Sequence, residues 1–154
     1  MQINIGLEKV EKILHVADIH IRNFKRHKEY RQVFRKLYKD AKQLPKNSII
    51  YVAGDIVHTK TDISPELVEL TSEFFRKLAD IRPTIVITGN HDANLNNSSR
   101  LDALSPIIDN LNHPNLHYLK DSGIYRVCDI DFIVMSVFND PKDFPDATKA
   151  TGIK

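Results

Sequence analysis

Apolar positions along the chain come in short blocks separated by polar turns, and the period inside the blocks changes from one to the next. Residues 12–17, Lys-Ile-Leu-His-Val-Ala, make an apolar run of strand length. Tyr30, Val33, Phe34, Leu37, Tyr38, Ala41 and Leu44 then recur every three or four residues, one face of a helix that Pro45 stops. Residues 48–53 read as a second, buried strand ending at Gly54. Ser64 followed by Pro65 predicts a helix N-terminus, and Leu67, Leu70, Phe74 and Leu78 mark the buried face of that helix. Residues 83–88 form a third strand pattern ending at Gly89, and the polar stretch 94–99 reads as a loop. Leu101, Leu104, Ile107, Ile108 and Leu111 suggest a short helix, kinked at Pro106 or starting near Ser105. From Leu116 onward the pattern is of strands, 116–119, 123–127 and 130–138, with Asp129 in a hairpin turn between the last two.

Strand–helix–strand–helix–strand, followed by strands alone, predicts an α/β fold. Its first three strands should be parallel and joined by right-handed helical crossovers, with antiparallel strands after them. In such sheets ligands bind beyond the carboxyl ends of the strands. The length of 154 residues suits one domain, and there is no internal repeat or Gly/Ser linker.

Composition narrows the class. At 42% hydrophobic and 27% charged residues the chain reads as globular. No run of 18 apolar residues exists to span a membrane, and the first sixteen residues lack a secretory signal. The single cysteine, Cys128, excludes an internal disulfide and a cysteine-only zinc site; it reads as a buried or half-buried thiol in a strand, and a reducing compartment fits it. The net charge of +2 conceals an imbalance. Residues 22–46 carry ten Lys/Arg against Glu29 and Asp40, a local charge of +8, and the remainder carries −6. A basic span of that kind attracts polyanions, although a solvated helix face has the same composition.

The chemistry lies just past the first three strands. Asp18-Ile-His20 follows the first, Gly54-Asp55-Ile-Val-His58 the second, and Gly89-Asn90-His91-Asp92 the third. Alternation along an extended chain would point Asp18 and His20 to one side, where an oxygen and a nitrogen ligand reach one cation. Asp55 follows a glycine that permits a sharp turn and close approach, and its two oxygens can bridge two cations. Asn90 offers a carbonyl oxygen, and His91 beside it can meet a phosphate oxygen or leaving group. Asp18-x-His20 and Gly54-Asp55 are each common in turns when they stand alone; Gly89-Asn90-His91-Asp92 is sharper, and three such segments in order at successive strand ends are not a turn pattern. Imidazole with Asp/Asn oxygens suits Mn²⁺, Fe or Zn²⁺ better than an all-oxygen Mg²⁺ cage.

These three segments resemble the signature of the calcineurin-like metallophosphoesterases, over about residues 12–138. Gly54-Asp55-Ile-Val-His58 and Arg100-Leu-Asp-Ala-Leu-Ser-Pro106 look most like the SbcD-type DNA repair exonucleases and the phage recombination endonuclease subunit. The resemblance implies a β-sheet sandwich flanked by helices, of which residues 1–154 would be the N-terminal portion of a catalytic domain, truncated. It implies two divalent metal ions, Mn²⁺ first and Fe or Zn²⁺ as alternatives, with Asp18, His20, Asp55 and Asn90 as metal ligands and Asp55 bridging. His91 would be catalytic, contacting the scissile phosphate, and a two-metal-bridged hydroxide would attack phosphorus. Asp92 would orient ligands or cap a helix; His58 would orient ligands too, unless it is simply a surface or helix-start histidine. The implied function is a metal-dependent phosphodiesterase, a DNA exo- or endonuclease in recombination or double-strand-break repair. DNA and a coiled-coil SMC-like ATPase subunit would be its partners, a homodimer is possible, and no membrane is involved. The compartment would be cytoplasmic in a bacterial, phage or viral setting, or nuclear in a eukaryote.

One departure bears on activity. The family pattern continues with a lone histidine and then a Gly-His-x-His pair; no Gly-His-x-His occurs here, and His113 and His117, the only later histidines, read as surface or loop residues. Weak metal binding and little activity are therefore expected of this chain alone, and an apolar sheet edge is expected to be exposed. Two other readings stay open: a phosphoprotein or small-molecule phosphoesterase of the same superfamily, and an inactive fragment acting as a binding module.

Overall fold

The computed structural model describes residues 1–59, 62–95 and 101–153 and stacks them in three layers. The central layer is a sheet of four parallel strands in the order β2 (Lys12–Val16), β3 (Ser48–Ala53), β4 (Thr84–Ile87) and β5 (Leu116–Tyr118). Helices α1 (His27–Lys42), α2 (Pro65–Ile81) and α3 (Ser105–Leu111) connect these strands and cover one face. On the other face lies a smaller sheet in the order β1 (Gln2–Ile3), β6 (Gly123–Val127) and β7 (Ile130–Val134). This is the mixed α/β sandwich, a sheet flanked by helices, that the sequence predicts.

Period-two alternation divides the central strands between two cores. Ile50, Val52 and Val86 face the helices, with Leu67, Leu70, Phe74 and Leu78 of α2 and Phe34 of α1. The Phe34 and Phe74 ring centroids lie 4.5 Å apart. Ile49, Tyr51, Ile85 and Ile87 face the second sheet, where they meet Tyr125, Val127 and Val134. Tyr51 and Phe132 bridge the sheets with ring centroids 5.3 Å apart. Burial on both faces is why these strands read as continuous apolar runs rather than alternating ones.

Local signals set the helix ends. Ser64 accepts the Leu67 N–H at 3.2 Å and Pro65 opens α2, as expected of that pair. Asp102 performs the same task for α3, accepting the N–H groups of Leu104 at 2.8 Å and Ser105 at 2.6 Å. The helix therefore starts at Ser105, with no kink at Pro106. Residues 96–100, most of the expected polar loop and Arg100 of the repair-nuclease-like segment, lie outside the described residues.

Four readings need correction. β5 is parallel to β4, not antiparallel, because α3 acts as one more crossover and returns the chain in the same direction. β7 stops at Val134 rather than running to 138: Ser136 accepts the Phe138 N–H at 3.2 Å and donates to Lys120 O at 2.5 Å, which turns the chain away. Cys128 is half-buried as expected but occupies the hairpin turn with φ 54°, its Sγ donating to Leu7 O at 2.9 Å. His117 lies on β5 and is half-buried, so it is not a surface or loop residue. β1, two residues long, is too short to show a period. β2 is an outer strand of its sheet, and Ile13 is 43% exposed on it.

Candidate metal centre

β2 and β3 stay side by side beyond their last regular pair. Asp18 N–H donates to Gly54 O at 3.3 Å, His20 N–H to Asp55 O at 2.9 Å and Ile21 N–H to Ile56 O at 2.8 Å; His58 N–H returns to Ile21 O at 2.9 Å. Ile21, Ile56 and Val57 are fully buried, so these two segments are anchored from beneath. Tyr30 of α1 adds a hydroxyl bond to His20 O at 2.6 Å.

The backbone here is coiled rather than extended. Asp18, His20 and Asp55 all take left-handed φ, at 54°, 49° and 52°, and Gly54 lies at 77°. The extended Asp18-x-His20 of the sequence reading is therefore corrected: bonding to the left-handed Gly54–Asp55 turn forces matching curvature on the partner segment. Asp and His are among the few non-glycine residues that enter this region readily. The two side chains still converge. His20 Nε2 lies 3.9 Å from Asp18 Oδ1 and 4.0 Å from Asp55 Oδ2.

Paired glycines let the ends of β3 and β4 touch. A β-carbon on Gly54 would come within 2.6 Å of Gly89 N, and one on Gly89 within 2.1 Å of Asp55 Oδ1. That close approach allows Asp55 Oδ1 to accept the His91 N–H at 2.9 Å. Asp92, fully buried, locks the same junction: its carboxylate accepts the N–H groups of Ile56, Val57 and Gly89, each at 2.9 Å. Desolvation pushes the Asp92 carboxyl up to about 6, against the opposing pull of those backbone donors. Asp92 thus braces the site from below and does not face into it.

Three imidazoles gather above this junction. The His20 ring packs edge-on against His91 with centroids 4.7 Å apart and against His58 at 5.5 Å, and His58 stacks on His91 at 5.7 Å. His91 Nδ1 lies 3.2 Å from His58 O, which makes Nδ1 the donor and leaves Nε2 free. His58 is held below its ordinary imidazole value, first by desolvation, then by Arg22, His20 and His91. A convergent His58 was only half-legible in the sequence, where the signal was its place three residues after Asp55. Asn90 is exposed in the turn after β4, next to His91.

The donors fit divalent cations. Asp18, His20 and Asp55 offer ligand atoms all within 4.8 Å of one another, and so do His20, His58 and His91. Buried Nδ1 atoms of His20 and His58 have no hydrogen-bond partner within the protein, a costly state for a polar atom unless something else satisfies it.

The basic span is divided by the length of α1. Arg22 lies close enough to depress the ionisation of His58, and Lys25 and Arg26 are exposed just before the helix. Lys39 and Lys42, in the last turn, sit roughly 20 Å farther along at 1.5 Å per residue. Arg22, at the start of the span, borders the site.

The sequence profile of the calcineurin-like phosphoesterases matches residues 11–149. An uncharacterised protein of Acanthamoeba polyphaga mimivirus, R555, is 50% identical over 146 residues, which cover 93% of this chain and 11% of that protein. The chain thus spans about a tenth of the length of this viral relative. Among the described residues no helix is long and apolar enough to cross a membrane.

Proposed function

Since the chain belongs to the calcineurin-like phosphoesterase family, we propose that it forms the ligand-bearing face of a metal-dependent phosphodiesterase acting on DNA, of the SbcD type. The observation that carries the reading is the convergence of Asp18, His20, Asp55 and His91 from three successive strand ends onto one edge. The family typically binds two divalent ions. Asp18, His20 and Asp55 would hold the first, and Asp55 with Asn90 would contribute to the second. Cations held there lower the pKa of bound water and neutralise charge developing on phosphoryl oxygens; Mn²⁺ is our first choice among them.

The chain's own residues have separate tasks. Asp55, 17% exposed, lies between His20 on one side and the His91 backbone on the other, which suits a bridging ligand. The bond from His91 Nδ1 to His58 O fixes one tautomer, so that Nε2 meets the substrate. Arg22, Lys25 and Arg26 beside the site favour a polyanion over a small phosphoester. Nine of the twelve aromatic side chains belong to the two cores, Phe24, Phe138 and Phe144 being the others, so a stacking platform for single-stranded bases is not part of this reading. A coiled-coil ATPase and a second copy of the chain are the partners proposed with it.

The test is Mn²⁺ binding by calorimetry on wild type and Asp55→Ala, followed by cleavage of linear duplex DNA beside a small phosphodiester. Two ions lost together on Asp55→Ala, with DNA cleaved preferentially, is the expected result. Hydrolysis of the small ester with no salt-dependent DNA binding would replace it with the small-molecule reading. Absence of Mn²⁺ binding would leave a binding module.

A further inference from the structure

We propose that His20, His58 and His91 form a tris-imidazole site for a borderline-soft divalent cation of the Zn²⁺ type, which competes with the carboxylate-containing set through the shared His20. The three rings come from three different strand ends, and each offers a nitrogen within 4.8 Å of the other two. Their arrangement is that of ligands about a common point: His20 stands edge-on to His91 at an interplanar angle of 84° and to His58 at 72°, and His58 and His91 lie nearly parallel at 13°. Both His20 and His58 have a buried Nδ1 without a protein partner. His91 uses Nδ1 on the His58 carbonyl, the usual second contact of a metal-bound imidazole, and keeps Nε2 for a ligand.

Donor chemistry separates this site from its neighbour. Three neutral nitrogens and one open position match Zn²⁺, whereas carboxylate and amide oxygens suit Mn²⁺. Zn–N bonds of about 2.0–2.1 Å in tetrahedral geometry require nitrogens lying up to 4.8 Å apart to approach one another by up to about 1.4 Å, within the reach of side-chain rotation. His20 cannot serve both sets at once. An ion on the three rings therefore withdraws a ligand from Asp18 and Asp55 and also covers His91. The inference does not rest on the nuclease reading, since the rings would bind Zn²⁺ whether or not the chain cleaves DNA.

The experiment is calorimetric titration of the full chain with Zn²⁺ and, separately, Mn²⁺, on wild type, His58→Gln and Asp18→Asn. In His58→Gln, Zn²⁺ affinity should fall by at least about tenfold, with Mn²⁺ affinity unchanged. In Asp18→Asn, Mn²⁺ affinity should fall and Zn²⁺ affinity should hold. Zn²⁺ should also shift the ring-proton NMR signals of three of the seven histidines in wild type, a readout that needs no variant. No Zn²⁺ binding, equal Zn²⁺ affinity in wild type and a folded His58→Gln, or movement of a single histidine would each overturn the proposal. Zn²⁺ binding without Mn²⁺ binding would uphold it and count against the hydrolase reading alone.

Discussion

The carboxylate of Asp55 accepts the backbone N–H of His91 at 2.9 Å, which ties the candidate bridging ligand to the candidate catalytic residue across the β3–β4 seam. Removing that carboxylate should do two things. Asp55→Ala frees the loop carrying Asn90 and His91 and deletes a cation ligand, so phosphodiester hydrolysis should drop by on the order of 10²-fold or more. Asp55→Asn keeps an oxygen for the His91 N–H and should preserve the fold while losing the activity. Steady-state rates beside thermal unfolding of both variants check this; equal rates for wild type and Asp55→Asn would remove Asp55 from the mechanism.

Gly89 is the tightest point of the same seam. A β-carbon there would overlap Asp55 Oδ1 at 2.1 Å and Asp55 N at 2.3 Å. Gly89→Ala must therefore push Asp55 aside, at a cost of about 1–3 kcal/mol in stability and with loss of Mn²⁺ binding. Denaturant unfolding and calorimetry on the one variant test both halves, and an unchanged Mn²⁺ isotherm would contradict the geometry.

Phe74 is fully buried and in ring contact with Phe34 and Phe75. Phe74→Ala should destabilise the fold by about 3–5 kcal/mol, Phe74→Leu by less. Urea midpoints compared at equal slope give the answer, and a loss below about 1 kcal/mol would mean that α2 is not seated on the sheet as described.

The pH dependence of stability should carry a signature of Asp131, far from the histidines. Arg126 hydrogen-bonds its carboxylate in an ion pair, the N–H groups of Gly152 and Thr151 donate to it at 2.8 Å, and its side chain is 1% exposed. The Arg126 bond first, then those backbone donors, hold the carboxyl far below the ordinary value of 3.8. A depressed folded value means stability that is complete above about pH 4 and lost as pH falls below it. Asp131→Asn should lower stability at pH 7 and flatten the acid limb between about pH 4 and 2. Melting temperatures across that range are the measurement; an acid limb as steep as that of wild type would assign the loss to other carboxylates.

If DNA is the substrate, charge should matter by position. Replacing Arg22, Lys25 and Arg26 with Gln should reduce the salt slope of DNA binding by about one for each phosphate no longer neutralised. Replacing Lys39 and Lys42, at the far end of α1, should change it little. Fluorescence anisotropy at several salt concentrations separates the two sets, and equal effects would point to a diffuse basic surface.

The sequence showed the central β–α–β–α–β order and the three strand ends that carry the candidate ligands, because buried parallel strands and amphipathic helices leave strong periodic signals. It pointed the wrong way for β5, since strand polarity depends on whether the seven residues of α3 act as a crossover, which no local pattern encodes. Asp92 was read as orienting ligands; what the structure gives it is three backbone donors, two of them 36 and 35 residues earlier in the chain and the third 3 residues before it. The burial of Asp102 beneath Lys120 and Tyr118 likewise depends on neighbours remote in sequence. The coil at Asp18 and His20 follows the partner strand's turn; Asp and His tolerate it, but tolerance alone does not distinguish it in the sequence from an extended segment.

Left-handed backbone at Asp18, His20 and Asp55 also bears on how these positions can change over time. Conformations of this kind cost about 1 kcal/mol each for residues with a β-carbon, and glycine would relieve that cost. Selection for stability alone would therefore drift all three toward glycine or asparagine. A lineage that had abandoned its chemistry should show that drift first at these positions, while Ile21, Ile56 and Val57 beneath them stayed apolar; a lineage that kept Asp, His and Asp would be revealing continued use of the site.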